Sequence, residues 1–136
     1  MPAFLLKTEP SDYAFADLER DGTTLWTGIK SPAAQLALRN AKKGDDAFIY
    51  HTGSEKQIVG LARITRGPFP DPTDKEGKRV AIELKALKAV KTPVTLTQIK
   101  GDKRFADFAL VKQSRLSVMP VPAAMEKVLR EWAGVE

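Results

Sequence analysis

The side chains able to do chemistry here are few. The chain of 136 residues has one histidine, His51, and no cysteine. Without cysteine there is no disulfide scaffold, no thiol nucleophile and no thiolate metal site. One histidine alone does not make any of the usual zinc sets. No G-x-S-x-G pattern puts a serine at the disposal of His51, no Gly-rich phosphate loop follows a strand, and "GDD" at 44–46 is a turn in front of a strand rather than a cation loop. The expectation is therefore a protein with no metal, no cofactor and no assembled catalytic group. His51 lies in "FIYHTGSEKQIVGLARI" (48–64), between an apolar run and a polar turn. Its imidazole can donate from one nitrogen and accept at the other, so it suits a cleft wall as well as a strand-end side chain with a structural partner.

Three chain reversals gather polar and aromatic groups. They are the ends of "LLKTEP" and "YHT" and the approach of "LWTGIKS" to a helix. A cleft lined there by Trp26, Tyr50, His51 and hydroxyls suits a planar ligand, with aromatic faces to stack it and polar groups to read its edge. Trp26 suits a core position equally well, whereas Trp132, on the apolar stripe of the last helical segment, reads as core. "LVKQSRLSV" places Lys112 and Arg115 around Gln113 and Ser114, with Ser117 beyond. Such a group can clamp a phosphate, or it can be a solvated charge pair. Lys and Arg total 22 against 17 acids, for a net charge of +5, an excess that attracts polyanions through counterion release.

The elements that must position these groups follow from periodicity and punctuation. "AFLLK" (3–7) is a short strand closed by Pro10 and Ser11, and "DYAFADLER" (12–20) predicts a helix of about two turns. In "SPAAQLALRNAKKGD" Ser31 is the N-cap, Pro32 sits at the first helical position, and Ala34, Ala37, Leu38 and Ala41 share one face. "DAFIYH", "QIVGLARIT" and "VAIELKALKAV" are strands, the last with a phase shift at Ala86 and Leu87 that suits a bulge. "RGPFPDPTDKEGKR" (66–79) reads as a surface loop, "FALVKQSRLSVMPV" (108–121) as one or two short strands, and "PAAMEKVLREWAG" as a terminal helix carrying Met125, Val128, Leu129 and Trp132. The expected fold class is α+β: a small bent β-barrel of about five or six strands with short helices at its ends, in a single domain over residues 1–136. The chain has no apolar run that could span a membrane, so a soluble, cytoplasmic monomer is expected.

Taken in order, "LLKTEPSDYAFADL", "LWTGIKSPAAQLALRNAKKGDDAFIYHTG", "IVGLARI", "PFPDPT" and "LVKQSRLSVMPV" resemble the EVE domain family, over nearly the whole chain. The resemblance implies a PUA-like barrel related to the YTH and ASCH domains, and a pocket that takes a modified base, such as a modified cytosine, from DNA or RNA. Carried over by position, that pocket comprises Lys7, Thr8, Glu9, Pro10 and Tyr13; Trp26, Gly28 and Ser31; Tyr50, His51 and Thr52; and Gln113, Ser114, Arg115 and Ser117. Lys30, Lys112 and Arg115 are the phosphate contacts. Where the family commonly reads "VRN" after W-x-G, this chain has "IKS", so Lys30 and Ser31 replace an arginine and an amide, and a single hydroxyl stands where a group able to donate and accept usually stands. A nucleic-acid-binding module is thus the leading expectation. The alternatives are a small enzyme acting on a nucleoside with Glu9 or His51 as base, and a protein-interaction module using the Pro-rich 67–73 stretch.

Overall fold

Apolar runs such as 3–6 and 47–50, buried on both faces, decide the architecture. In the computed structural model, which describes residues 2–135, six strands form one mixed sheet. They are β1 (Ala3–Thr8), β2 (Thr23–Trp26), β3 (Asp46–His51), β4 (Gln57–Pro70), β5 (Val80–Thr95) and β6 (Val118–Val121), in the spatial order β2-β5-β4-β3-β1-β6. β1 and β3 run parallel, and the other neighbours are antiparallel. Leu5, Phe48 and Tyr50 enter one apolar cluster while Phe4, Leu6 and Ile49 enter another, so the period of two puts a core on each face of the sheet.

The α+β class and strand number match expectation, and the sheet remains open. Among the described residues β2 and β6 are its edges, and it bends through register shifts between β4 and β5 near Ile58, Leu61, Ile64 and Arg66. Gly60, in β4, has no room for a side chain, since a Cβ there would lie 2.4 Å from the Phe15 ring. The aromatic ring thus packs directly on strand backbone.

One face is covered by α1 (Phe15–Asp21) and α2 (Pro32–Asn40). The Ser31 hydroxyl accepts from the Ala34 N–H at 3.4 Å, and Ala34, Ala37 and Leu38 are buried, so the local signals for α2 hold. α1 starts three residues later than expected. The backbone N–H groups of Asp12 and Tyr13 both donate to the Glu9 carbonyl at 2.9 Å, closing a turn first, and the Asp17 carboxylate then accepts from the Ala14 N–H at 2.8 Å.

The other face is covered by α3 (Leu96–Lys100), a 3-10 turn at Lys103–Phe105, α4 (Ala109–Lys112) and α5 (Ala123–Ala133). The strand expected at the start of 108–121 is instead helical through Lys112, with β6 following. Phe105 and Phe108, three residues apart, both sink into this core, their centroids 5.8 Å apart, and Phe105 lies 5.5 Å from Trp132. That spacing fits a helical path and not a pleated one. The stretch expected as a loop over 66–79 begins as strand, because β4 continues to Pro70 on β5 alone, beyond the last β3 pair at Arg63. Among the described residues no helix is long and apolar enough to cross a membrane.

Candidate functional site

Parallel pairing of β1 with β3 sets Thr8 opposite His51, so "KTEP" and "YHT" leave the sheet at the same end of their strands. Side chains then tie the two reversals together. The Thr52 N–H donates to the Thr8 carbonyl at 3.0 Å, and the Thr52 hydroxyl donates to Glu9 Oε2 at 3.0 Å. The Thr8 hydroxyl donates to the Tyr13 carbonyl at 2.6 Å. Gly53, at φ +72°, faces the Glu9 carboxylate, where a Cβ would come within 2.9 Å of Oε2.

Around this end of the sheet the expected site residues divide among three adjoining clefts. The first, of about 330 Å³, is walled by Lys7, Thr8, Glu9, Tyr13 and Trp26, together with Asp12, Thr24, Leu25, Thr27 and Ile29. Trp26 is 8% exposed, so most of its ring belongs to the core, and the Tyr13 ring meets it edge-on at 6.3 Å. The Tyr13 hydroxyl donates to Asp21 at 2.8 Å. Burial is the main reason that its phenol is pushed up, and Asp21 adds to the rise.

The second cleft, of about 260 Å³, takes Tyr50, Thr52 and Ser114, with Lys7 as the wall it shares with the first. Burial lowers the Lys7 ammonium and raises the Tyr50 phenol. Lys7 Nζ donates to the Ser114 carbonyl at 2.9 Å and lies 5.8 Å from the centre of the Tyr50 ring. The third cleft, of about 370 Å³, runs from Ser31 at the start of α2 to Lys112, Gln113, Ser114 and Arg115. Lys112 is paired with Asp107 at 2.7 Å, and that pair holds the Asp107 carboxyl below its usual range.

Five of the expected residues line none of these clefts. Pro10 and Lys30 flank the first and third in sequence, and Ser117 acts through its backbone carbonyl, which accepts from the Lys7 N–H at 2.9 Å. Gly28, at φ +73°, donates its N–H to Asp71 at 2.8 Å. His51 is buried and has both ring nitrogens engaged. Nε2 accepts from the Phe15 N–H at 3.0 Å, which leaves the proton on Nδ1 facing Glu55 Oε1 at 3.0 Å. A histidine on β3 thus satisfies a free N–H at the start of α1.

Two side chains that the sequence did not single out hold the 27–31 loop. Asp71 is 3% exposed and accepts from the Gly28 N–H, the Thr73 N–H and the Thr73 hydroxyl. Burial works to raise this carboxyl, and the three donors outweigh it, so the net displacement is downward. Gln35, 6% exposed, donates to the carbonyls of Ile29 and Val80 and accepts from the Val80 N–H. The "PFPDPT" motif was the one sequence signal for Asp71; nothing local marked Gln35.

The first cleft therefore offers two aromatic rings, two carboxylates, a lysine and several hydroxyls in a volume at the small end of ligand sites, about 300 to 1,000 Å³. Among the described residues no group of three or more His, Asp or Glu side chains is placed to hold a metal. Residues 3–132 match the EVE domain. Thymocyte nuclear protein 1 of chicken (Gallus gallus) is 28% identical over 128 residues, 84% of this chain and 53% of that protein. The human protein (Homo sapiens) is 25% identical over 152 residues, 87% of this chain and 68% of that protein. The chain thus spans about half to two thirds of the length of these relatives. Among solved structures, Rpa0253 of Rhodopseudomonas palustris is 42% identical with a TM-score of 0.93, covering 99% of this chain and 94% of that one. Human THYN1, solved in complex with DNA containing 5-methylcytosine, aligns with a TM-score of 0.90 over 100% of this chain and 99% of that one; at 22% identity the likeness is one of fold. With a family match from residue 3 to residue 132, this chain belongs to the EVE domain family.

Proposed function

We propose that this chain, as one EVE domain over residues 1–136, is a nucleic-acid-binding module that accepts a single modified base, of the modified-cytosine class in DNA, into the Trp26 cleft. The observation that carries the reading is the makeup of that cleft, whose volume of about 330 Å³ suits one base and whose polar groups, from Lys7 to Thr27, surround the Trp26 and Tyr13 rings. Family membership and the DNA bound by human THYN1 support it. Extruding a base costs a few kcal/mol, which contact with the aromatics and new hydrogen bonds offset. A methyl group adds only about 0.8 kcal/mol, so preference for a 5-methylated base over the plain one is set near fourfold unless a misfit is added. Lys30 and Arg115 stand ready for phosphates, while Lys112 must first leave Asp107. Both nitrogens of His51 are engaged in protein contacts, so it is not free to act as a base, which supports a binding module over an enzyme built on His51. We place its work in the cytoplasm, as a monomer.

The test is titration with DNA and RNA oligonucleotides that differ only in one base modification, at two salt concentrations. Tighter binding of one modified form, weakened by salt, is the expected result. Trp26→Phe should keep that preference. Trp26→Ala should lose about 1 to 3 kcal/mol of binding and, because Trp26 is 8% exposed, should also destabilise the fold by about 3 to 5 kcal/mol. Equal affinity for every modification in both polymers, unaffected by salt, would overturn the reading, as would Glu9-dependent turnover of a nucleoside.

A further inference from the structure

We propose that the Tyr50 cleft is a second nucleotide site, which takes the sugar and phosphate adjoining the base held in the Trp26 cleft. The inference rests on the base-binding reading above and, Lys7 apart, concerns residues that reading leaves unused. Lys56 and Lys100 line this cleft together with Lys7, over an apolar shelf of Leu110 and Val111. Among the described residues none of the three lysines forms an ion pair. The carboxylate close by, that of Glu9, is committed to the hydroxyls of Thr52 and Ser11. The two neighbouring clefts therefore differ in kind. The Trp26 cleft sets Glu9 and Asp12 against Lys7, which suits the mixed donors and acceptors of a neutral base edge. The Tyr50 cleft has three ammonium groups and no carboxylate in its lining, which suits an anion carrying an apolar body.

Connectivity between the clefts supports the same assignment. Lys7 is the wall common to both, and its ammonium is held on the Tyr50 side by the Ser114 carbonyl at 2.9 Å. A phosphate joining two nucleosides, one in each cleft, would lie beside Lys7. Lys56 adds an independent sign. It is the one non-glycine residue with positive φ among the described residues, at 49°. A side chain in that region carries a conformational cost that glycine escapes. Here it directs a lysine to the rim of an anion-suited cleft, while its carbonyl accepts from the Leu96 N–H at 2.9 Å.

The experiment compares the wild-type chain with Lys56→Glu/Lys100→Glu and with Lys56→Gly. The probes are the nucleoside 5-methyl-2′-deoxycytidine, the two dinucleotides that extend it by one thymidylate on its 5′ or 3′ side, and a single-stranded oligonucleotide with one 5-methylcytosine. Binding is followed by titration and by amide shifts at Thr8 and Thr27 against Leu110 and Val111. The nucleoside should shift Thr8 and Thr27 equally in wild type and double variant. One dinucleotide should bind wild type about tenfold tighter than the nucleoside and shift Leu110 and Val111 as well, a gain of the size expected for charge-assisted bonds. The double variant should lose that gain, and its salt slope for the oligonucleotide should flatten by about 0.7 per phosphate contact removed. Lys56→Gly should keep or raise the melting temperature and still lose part of the gain, which separates binding from folding. Wild-type dinucleotide affinity and salt slope in the double variant, with nucleoside binding intact, would overturn the second site alone. If no probe binds the wild type, or none shifts Thr8 and Thr27, the base reading fails and the second site with it.

Discussion

His51→Ala should weaken the fold far more than it weakens binding of nucleic acid. Its ring is 7% exposed, and Nε2 is the acceptor for the Phe15 N–H at the first position of α1. Truncation leaves that buried donor without a partner, at about 1 to 3 kcal/mol. The lost packing of the ring adds about 1 kcal/mol. The contact of Nδ1 with Glu55 adds little, because Glu55 is exposed. The sum is about 2 to 4 kcal/mol. For a chain of 136 residues, an unfolding entropy of about 2.1 cal/mol/K per residue converts 3 kcal/mol into a fall of about 10 °C in Tm. Calorimetry measures the fall, and hydrogen exchange at the Phe15 amide localises it. Affinity for the modified oligonucleotide, taken well below the transition, should stay within about threefold of wild type, a margin of under 1 kcal/mol. His51→Gln, which retains an acceptor, should recover part of the loss. An unchanged Tm together with a tenfold loss of affinity would refute this reasoning and move His51 into the ligand's contacts.

Gly60→Ala should cost about 1 to 3 kcal/mol, because its Cβ would meet the Phe15 ring at 2.4 Å; the midpoint of urea unfolding reads the loss. Asp71→Asn should loosen the 27–31 loop and change the acid limb of the stability curve. The folded Asp71 carboxyl lies below its ordinary value of 3.8, so its contribution is complete above 3.8 and disappears as pH falls through the folded value. Wild type should therefore exceed Asp71→Asn in Tm at neutral pH and approach it in acid, and parallel curves from neutral pH to pH ~2 would count against the linkage.

Where local chemistry decides structure, the sequence was sufficient. Ser31 and Pro32 announce α2, and the stripe from Met125 to Trp132 announces α5, because capping and a 3.6 period need no distant partner. The residues that build the clefts were legible as types gathered at chain reversals, and the structure brings Lys7, Thr8, Glu9, Tyr13 and Trp26 to one wall. What stayed hidden depends on long-range pairing. Gly67 and Pro68 look like breakers, yet the outer end of β4 pairs only with β5, at a register shift where a missing N–H costs nothing. Tyr50 and Trp26 looked like neighbours in one pocket, and the side chain of Lys7 divides them into two clefts. His51 looked like a cleft group because the N–H it accepts lies 36 residues away.

The placement of β1 between β3 and β6 has a consequence for how the molecule is made. β1 comes first in the chain, but its partners are residues 46–51 and 118–121, so during synthesis it waits with one edge, then the other, unpaired. Contacts of such long sequence separation form late and slowly. The bond from Lys7 to the Ser114 carbonyl spans 107 residues and belongs to that last step. A nascent chain halted before residue 114 can form α1 and the β3–β4 pair yet lacks the carbonyl that holds Lys7 between the two clefts. Binding of an oligonucleotide thus reports on completion of the fold, and ligand present during refolding should pull the closing of β6 onto β1 forward by mass action.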